Sequence, residues 1–136
     1  MTILLDTNII MDALQERQPF DASAKELLLR AQNGEFKCCF TANAATDIFY
    51  LYSRARDISA ARSALGFLFS HYDIVAVTYD DCVNALSLPI DDFEDALVVA
   101  CAERADVDYI VTRDDDFLRM PSNIALIRPD EFLGLL

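Results

Sequence analysis

Apolar residues fall along this chain in two kinds of run. Short, nearly unbroken ones occupy residues 3–5, 36–40, 74–77, 108–111 and 124–127, the signature of strands covered on both faces. Between them the apolar positions recur at helical spacing. Residues 7–14 carry Ile9, Ile10, Ala13 and Leu14, residues 23–33 carry Ala24, Leu27, Leu28 and Ala31, and Gly34 supplies a stop. Thr41 opens a helix through Ala44, Ala45, Ile48, Phe49, Leu51 and Tyr52. Residues 59–69 place Ala60, Ala61, Ala64, Leu65, Leu68 and Phe69 as core candidates. Shorter helices are predicted at 80–86, ended by Pro89, and from Pro129 to the C-terminus. A helix over 91–105 buries a stripe of Phe93, Ala96, Leu97, Ala100 and Cys101, with Asp91 and Glu94 at capping-box spacing. Strands alternating with helices predict an α/β fold: a parallel sheet of about five strands with helices on both faces.

The 136 residues suit one domain spanning 1–136, and with three glycines and four prolines there is no room for long linkers. No apolar run approaches the roughly 20 residues of a membrane span, and no signal-peptide pattern is present, so a cytoplasmic protein is expected. The four cysteines form no C-x-x-C pair, and zinc-ligand spacing is missing. The single histidine, His71, ends a helical pattern and is read as a helix-end or surface residue. Net charge is −12, which opposes non-specific nucleic-acid binding and favours cations or basic partners. The one local basic patch, Arg54, Arg56 and Arg62, is the best candidate for contact with phosphates.

Four acidic points stand out. Asp6 ends the first apolar run, where a strand's carboxyl end opens on the ligand crevice of a parallel sheet, although it could equally cap the next helix. Asp47 lies two turns inside an apolar helix, beyond the reach of the helix dipole. Asp95 borders a buried stripe, and Asp114 or Asp116 follows the fourth strand. In a parallel sheet these acids could converge on one crevice. Clustered carboxylates with no lysine or histidine beside them suit a hard cation, Mg²⁺ or Mn²⁺, and hence phosphoryl transfer through metal-activated water.

The opening ILLDTNIIMD, the segment ANAATDIFYLYSR and the stretch DFEDALVVACAERADVDYIVTRDDDF together resemble the PIN domain, the metal-dependent nuclease family that includes VapC-type toxins. The resemblance covers nearly the whole chain. It implies a three-layer α/β/α sandwich, Mg²⁺ or Mn²⁺, and endonucleolytic cleavage of RNA. It assigns catalysis to Asp6, Asp47, Asp95 and Asp114, with metal contacts from Asp6, Asp95 and Asp114 and a supplement from Asp116. Thr7, Asn8 and Thr112 match the family's supporting polar residues, while Asp47 stands where most members have Glu. The toxin resemblance also implies an inhibitor with a basic segment, and a homodimer is compatible with it. A haloacid-dehalogenase-type phosphatase is disfavoured, because Asn8 replaces the second aspartate and no lysine follows Lys37. The rival outside enzymes is a PIN-like binding or assembly module with a weakened site.

Overall fold

The apolar run at the N-terminus becomes the middle strand of the sheet. The computed structural model describes residues 1–136 as β1 (Thr2–Leu5), α1 (Thr7–Leu14), α2 (Asp21–Gln32), β2 (Lys37–Thr41), α3 (Ala42–Ala55), α4 (Ile58–His71), β3 (Asp73–Val75), α5 (Tyr79–Ser87), α6 (Phe93–Arg104), β4 (Tyr109–Val111), α7 (Asp115–Leu118), β5 (Ala125–Ile127) and α8 (Pro129–Gly134). The five strands are parallel, in the order β3-β2-β1-β4-β5. From β1 the chain first builds outward to β2 and β3, then returns to place β4 on the other side of β1. The sheet therefore reverses between β1 and β4, and there the strand ends part to leave a crevice.

Strand side chains alternate between two cores, which makes the α/β/α sandwich. On one face Ile3, Leu5, Phe40 and Val111 meet Ile9 and Ile10 of α1, Leu27 of α2, Ile48 of α3 and Phe132 of α8. On the other, Leu4, Cys39 and Ile110 meet α5, α6 and Phe117 of α7. Every residue from Ala96 to Ala102 is buried. Three of those seven are alanines, small enough to let α6 sit close to its neighbours while covered all round. Arg104 fastens this layer by giving two hydrogen bonds, of 2.8 and 3.0 Å, to buried Asp81 of α5 and another to the Ala76 carbonyl. The guanidinium holds the Asp81 carboxyl below the ordinary carboxylate range.

Three local expectations change. The third strand spans Asp73–Val75 instead of 74–77, because its only partner, β2, ends at the Thr41–Val75 pairing and the chain then turns to the Thr78 cap of α5. Of the core candidates in the fourth helix only Ala61 and Leu68 are buried, and Phe69 is 49% exposed. That helix packs on α3, so one narrow stripe is covered. Phe93 is also exposed: it is the first residue of α6, and burial begins only at Ala96. His71 does end a helix, exposed and bonded through Nδ1 to the Phe67 carbonyl. No helix is long and apolar enough to cross a membrane.

Candidate active site: an acidic cleft at the sheet reversal

Asp6 both ends β1 and starts α1. Its N–H extends the β1–β4 ladder to the Val111 carbonyl at 2.9 Å. One carboxylate oxygen accepts the Thr7 N–H at 2.8 Å, as an N-cap of α1, and the other accepts the Thr112 hydroxyl at 2.8 Å. Cap and cleft residue are thus the same side chain. Thr112 is fully buried at the end of β4, and its hydroxyl also accepts the Asp114 N–H at 3.1 Å and the Asn8 amide at 3.4 Å. One hydroxyl thereby sets the spacing between the two strand-end acids. The Asn8 side-chain oxygen is buried and has no hydrogen-bond partner.

Asp6, Asp47, Asp95 and Asp114 all line a single cleft of about 420 Å³, together with Thr7 and Asn8. Two further acids join them. Asp92, rather than Asp91, is the N-cap of α6, its carboxylate accepting the Asp95 N–H at 3.0 Å. With the cap supplied by Asp92, Glu94 is released from the predicted capping box and faces the cleft near Asp47. Asp116 lies outside it. Its N–H bonds the Asp114 carboxylate, and its own carboxylate, 84% exposed, pairs with Arg119 at 3.6 Å. Asp114 caps α7, a one-turn helix that sends Asp116 outward.

The acids feel one another. Burial raises the Asp6 carboxyl above its ordinary pKa, with the charges of Asp114 and Asp92 adding to it and the bonds from Thr112 and Thr7 opposing it. Asp95 is pushed up to about 7, by burial first and then by Asp92, Asp6, Asp114 and Glu94. Glu94 is raised by burial and by the charge of Asp47. No three acidic, histidine or cysteine side chains close into a ready cation cage, so the carboxylates form an open trough. All-oxygen donors, mutual repulsion and the unpartnered Asn8 oxygen nonetheless match a hard divalent ion, which keeps several waters and takes few direct protein ligands.

The predicted basic patch divides. Arg54 lies against Tyr50, its guanidinium 5.5 Å from the ring centroid and donating to the phenol oxygen at 3.2 Å, and Tyr50 lines the acidic cleft. Arg56 lines a neighbouring cavity of about 440 Å³, and Arg62 is exposed on α4. Arg17, which sequence reasoning passed over, is the one cation lining the cleft itself. It follows a helix end in an irregular loop, where no periodicity marks which way it points. The Thr112 hydroxyl and Asn8, by contrast, bond one another beside Asp6.

The family model for the PIN domain matches residues 2–116. A search among curated proteins finds no match. Among solved structures the chain is similar to VapBC2 from Rickettsia felis bound to a promoter DNA fragment, with TM-score 0.74, 19% identity, and 94% of this chain and 98% of that one covered. It is also similar to VapC20 of Mycobacterium tuberculosis, a toxin that cleaves the sarcin-ricin loop, with TM-score 0.70, 19% identity and coverage of 85% and 92%. A toxin–antitoxin complex from Klebsiella pneumoniae gives TM-score 0.69, 20% identity and coverage of 93% and 97%. A parallel sheet reversing between β1 and β4, acids at both of those strand ends, and a family match over most of its length place this chain in the PIN-domain family.

Proposed function

We propose that the chain is a divalent-cation-dependent endoribonuclease acting as the toxin of a toxin–antitoxin pair. The observation that carries this reading is the convergence of six carboxylates, from four segments of the chain, on one cleft at the sheet reversal. Asp6, Asp95 and Asp114 would hold Mg²⁺ or Mn²⁺. When bound, the ion would supply an acidified water nucleophile and offset charge developing on the phosphodiester. Thr112 and the Thr7 N–H fix the orientation of Asp6, so that a carboxylate oxygen need not reorganise when substrate arrives. Asp47, shorter by one methylene than the usual Glu, is complemented by Glu94 from α6. The exposed arginines give the strand of RNA a foothold that the acidic body as a whole does not.

The test is turnover. Purified protein is expected to cut RNA with Mg²⁺ or Mn²⁺ and to stop on chelation. Absence of cutting on unpaired and structured RNA alike would leave the binding-module reading, which the net charge of −12 favours. Metal should also stabilise the fold. Neutralising carboxylates that repel one another, Mn²⁺ at a hundredfold excess over Kd should raise stability by about 2.7 kcal/mol. A melting curve that moves with NaCl but not with Mn²⁺ would count against a shared cation site. The relatives solved as complexes with antitoxins support a partner of that kind, and the chemistry of the trough suits a basic side chain inserted among the carboxylates.

A further inference from the structure

The acidic cleft and the neighbouring cavity share one residue, Arg17. Beyond it the second cavity is lined by Leu14, Gln15, Glu16, Tyr52, Ala55 and Arg56, so it leaves the acidic trough toward the end of α3, with Glu16 its one carboxylate. Arg17 is held in place by its backbone. Its N–H bonds the Asp12 carbonyl at 3.1 Å, and its carbonyl accepts the N–H groups of Phe20 and Asp21 at 2.9 Å. The residue before it, Glu16, has φ +51°, a left-handed conformation costly for a side chain of that size and kept only where the surroundings impose it.

The guanidinium, in contrast, is only partly engaged. Nε donates to Gln15 at 2.7 Å, and Nη1 stands 3.8 Å from Asp12. Asp12 cannot be its true counter-ion, because both oxygens of Asp12 already receive Arg113 at 2.5 and 2.9 Å. A positioned cation with spare donors, at the edge of a trough of carboxylates, suits an anion that enters alongside the site. In a polynucleotide the phosphate adjoining the scissile one is such an anion. On the same rim stands Tyr50, one turn from Asp47 on α3, a residue 58% exposed with Arg54 against its ring. An exposed aromatic ring backed by a guanidinium is a stacking platform for a base, available only where that base is unpaired.

We propose that Arg17 and Tyr50 form a subsite for the nucleotide next to the scissile bond. Arg17 binds that nucleotide's phosphate, Tyr50 stacks with its base, and Arg56 meets the next phosphate along the second cavity. The subsite rests on the nuclease reading for the identity of the bond that is cut, but its binding step is measurable without any cleavage.

The experiment compares Arg17→Gln, Arg17→Lys, Tyr50→Ala and Tyr50→Phe with the parent, first by binding of a fluorescent single-stranded oligoribonucleotide in Ca²⁺ and then by turnover in Mn²⁺. Arg17→Gln is expected to weaken binding about tenfold and to reduce the slope of log affinity against log salt by about 0.7, the value of one phosphate on a single strand. Arg17→Lys should restore that slope. Tyr50→Ala should weaken single-stranded RNA about tenfold and a blunt duplex far less, with Tyr50→Phe restoring the difference. In turnover the losses should fall mainly on KM. An unchanged salt slope in Arg17→Gln, or equal losses for duplex and single strand in Tyr50→Ala, would overturn the subsite. Should the parent bind but never cut, these binding results would still decide the subsite while the nuclease reading alone failed.

Discussion

Asp6→Asn is expected to abolish metal-dependent RNA cleavage while leaving the protein folded. The amide keeps the volume of the carboxylate, and Asn caps a helix as well as Asp does, so the bond from the Thr7 N–H survives. The charge does not survive. A cation site that loses a direct carboxylate forfeits several kcal/mol of transition-state stabilisation, and about 4 kcal/mol is roughly a thousandfold in rate. The metal-free variant should be at least as stable as the parent. Burial and the neighbouring acids already make the ionised Asp6 unfavourable, so removing its charge relieves repulsion. Asp91→Asn is the matched control: Asp91 is exposed, does not cap α6 and does not line the cleft. It should cut as fast as the parent. An Asp6→Asn variant retaining activity close to that of Asp91→Asn would remove Asp6 from the chemistry.

The two positions show what periodicity and spacing can and cannot resolve. Asp6 was legible because it follows a run of three apolar residues, which locates a buried strand, and a strand's carboxyl end in a parallel sheet has only one direction to face. Asp114 was legible on the same ground, one strand away, whereas Thr112 was singled out by the family resemblance alone. Around residues 91–95 the same method faltered, since four acids within five positions all satisfy the rules for a helix start. Which of them caps depends on where the backbone leaves the loop, and Asp92 took that role, leaving Glu94 free for the cleft. The burial of Phe69 and Phe93 was overestimated for a related reason. A helical stripe says which side of a helix is apolar but not how far the neighbouring layer extends to cover it. Arg17 carried no local signal at all, because its place beside the acids comes from the return of the loop after α1 against α3.

Arg113→Leu is expected to lower folding stability by about 3 kcal/mol, measured by urea denaturation, and to slow RNA cleavage as well. Arg113 reaches from the acidic loop to Asp12 on α1, giving it two hydrogen bonds, and its guanidinium lies 4.0 Å from the centroid of the Phe20 ring. Asp12 is 1% exposed, so truncating its partner strands a buried charge, with Arg17 at 3.8 Å too distant to satisfy both oxygens. Losing one member of such a pair costs more than losing both, because the isolated charge keeps its desolvation penalty. The double variant Asp12→Leu with Arg113→Leu should therefore recover much of the loss. It should not recover the rate, since Arg113 is joined directly to Asp114, and without its anchor on α1 the strand-end acid is held less closely to Asp6. Recovery of rate along with stability would show that the ion pair serves the fold alone. A single variant as stable as the parent would show that Asp12 finds its charge balance elsewhere.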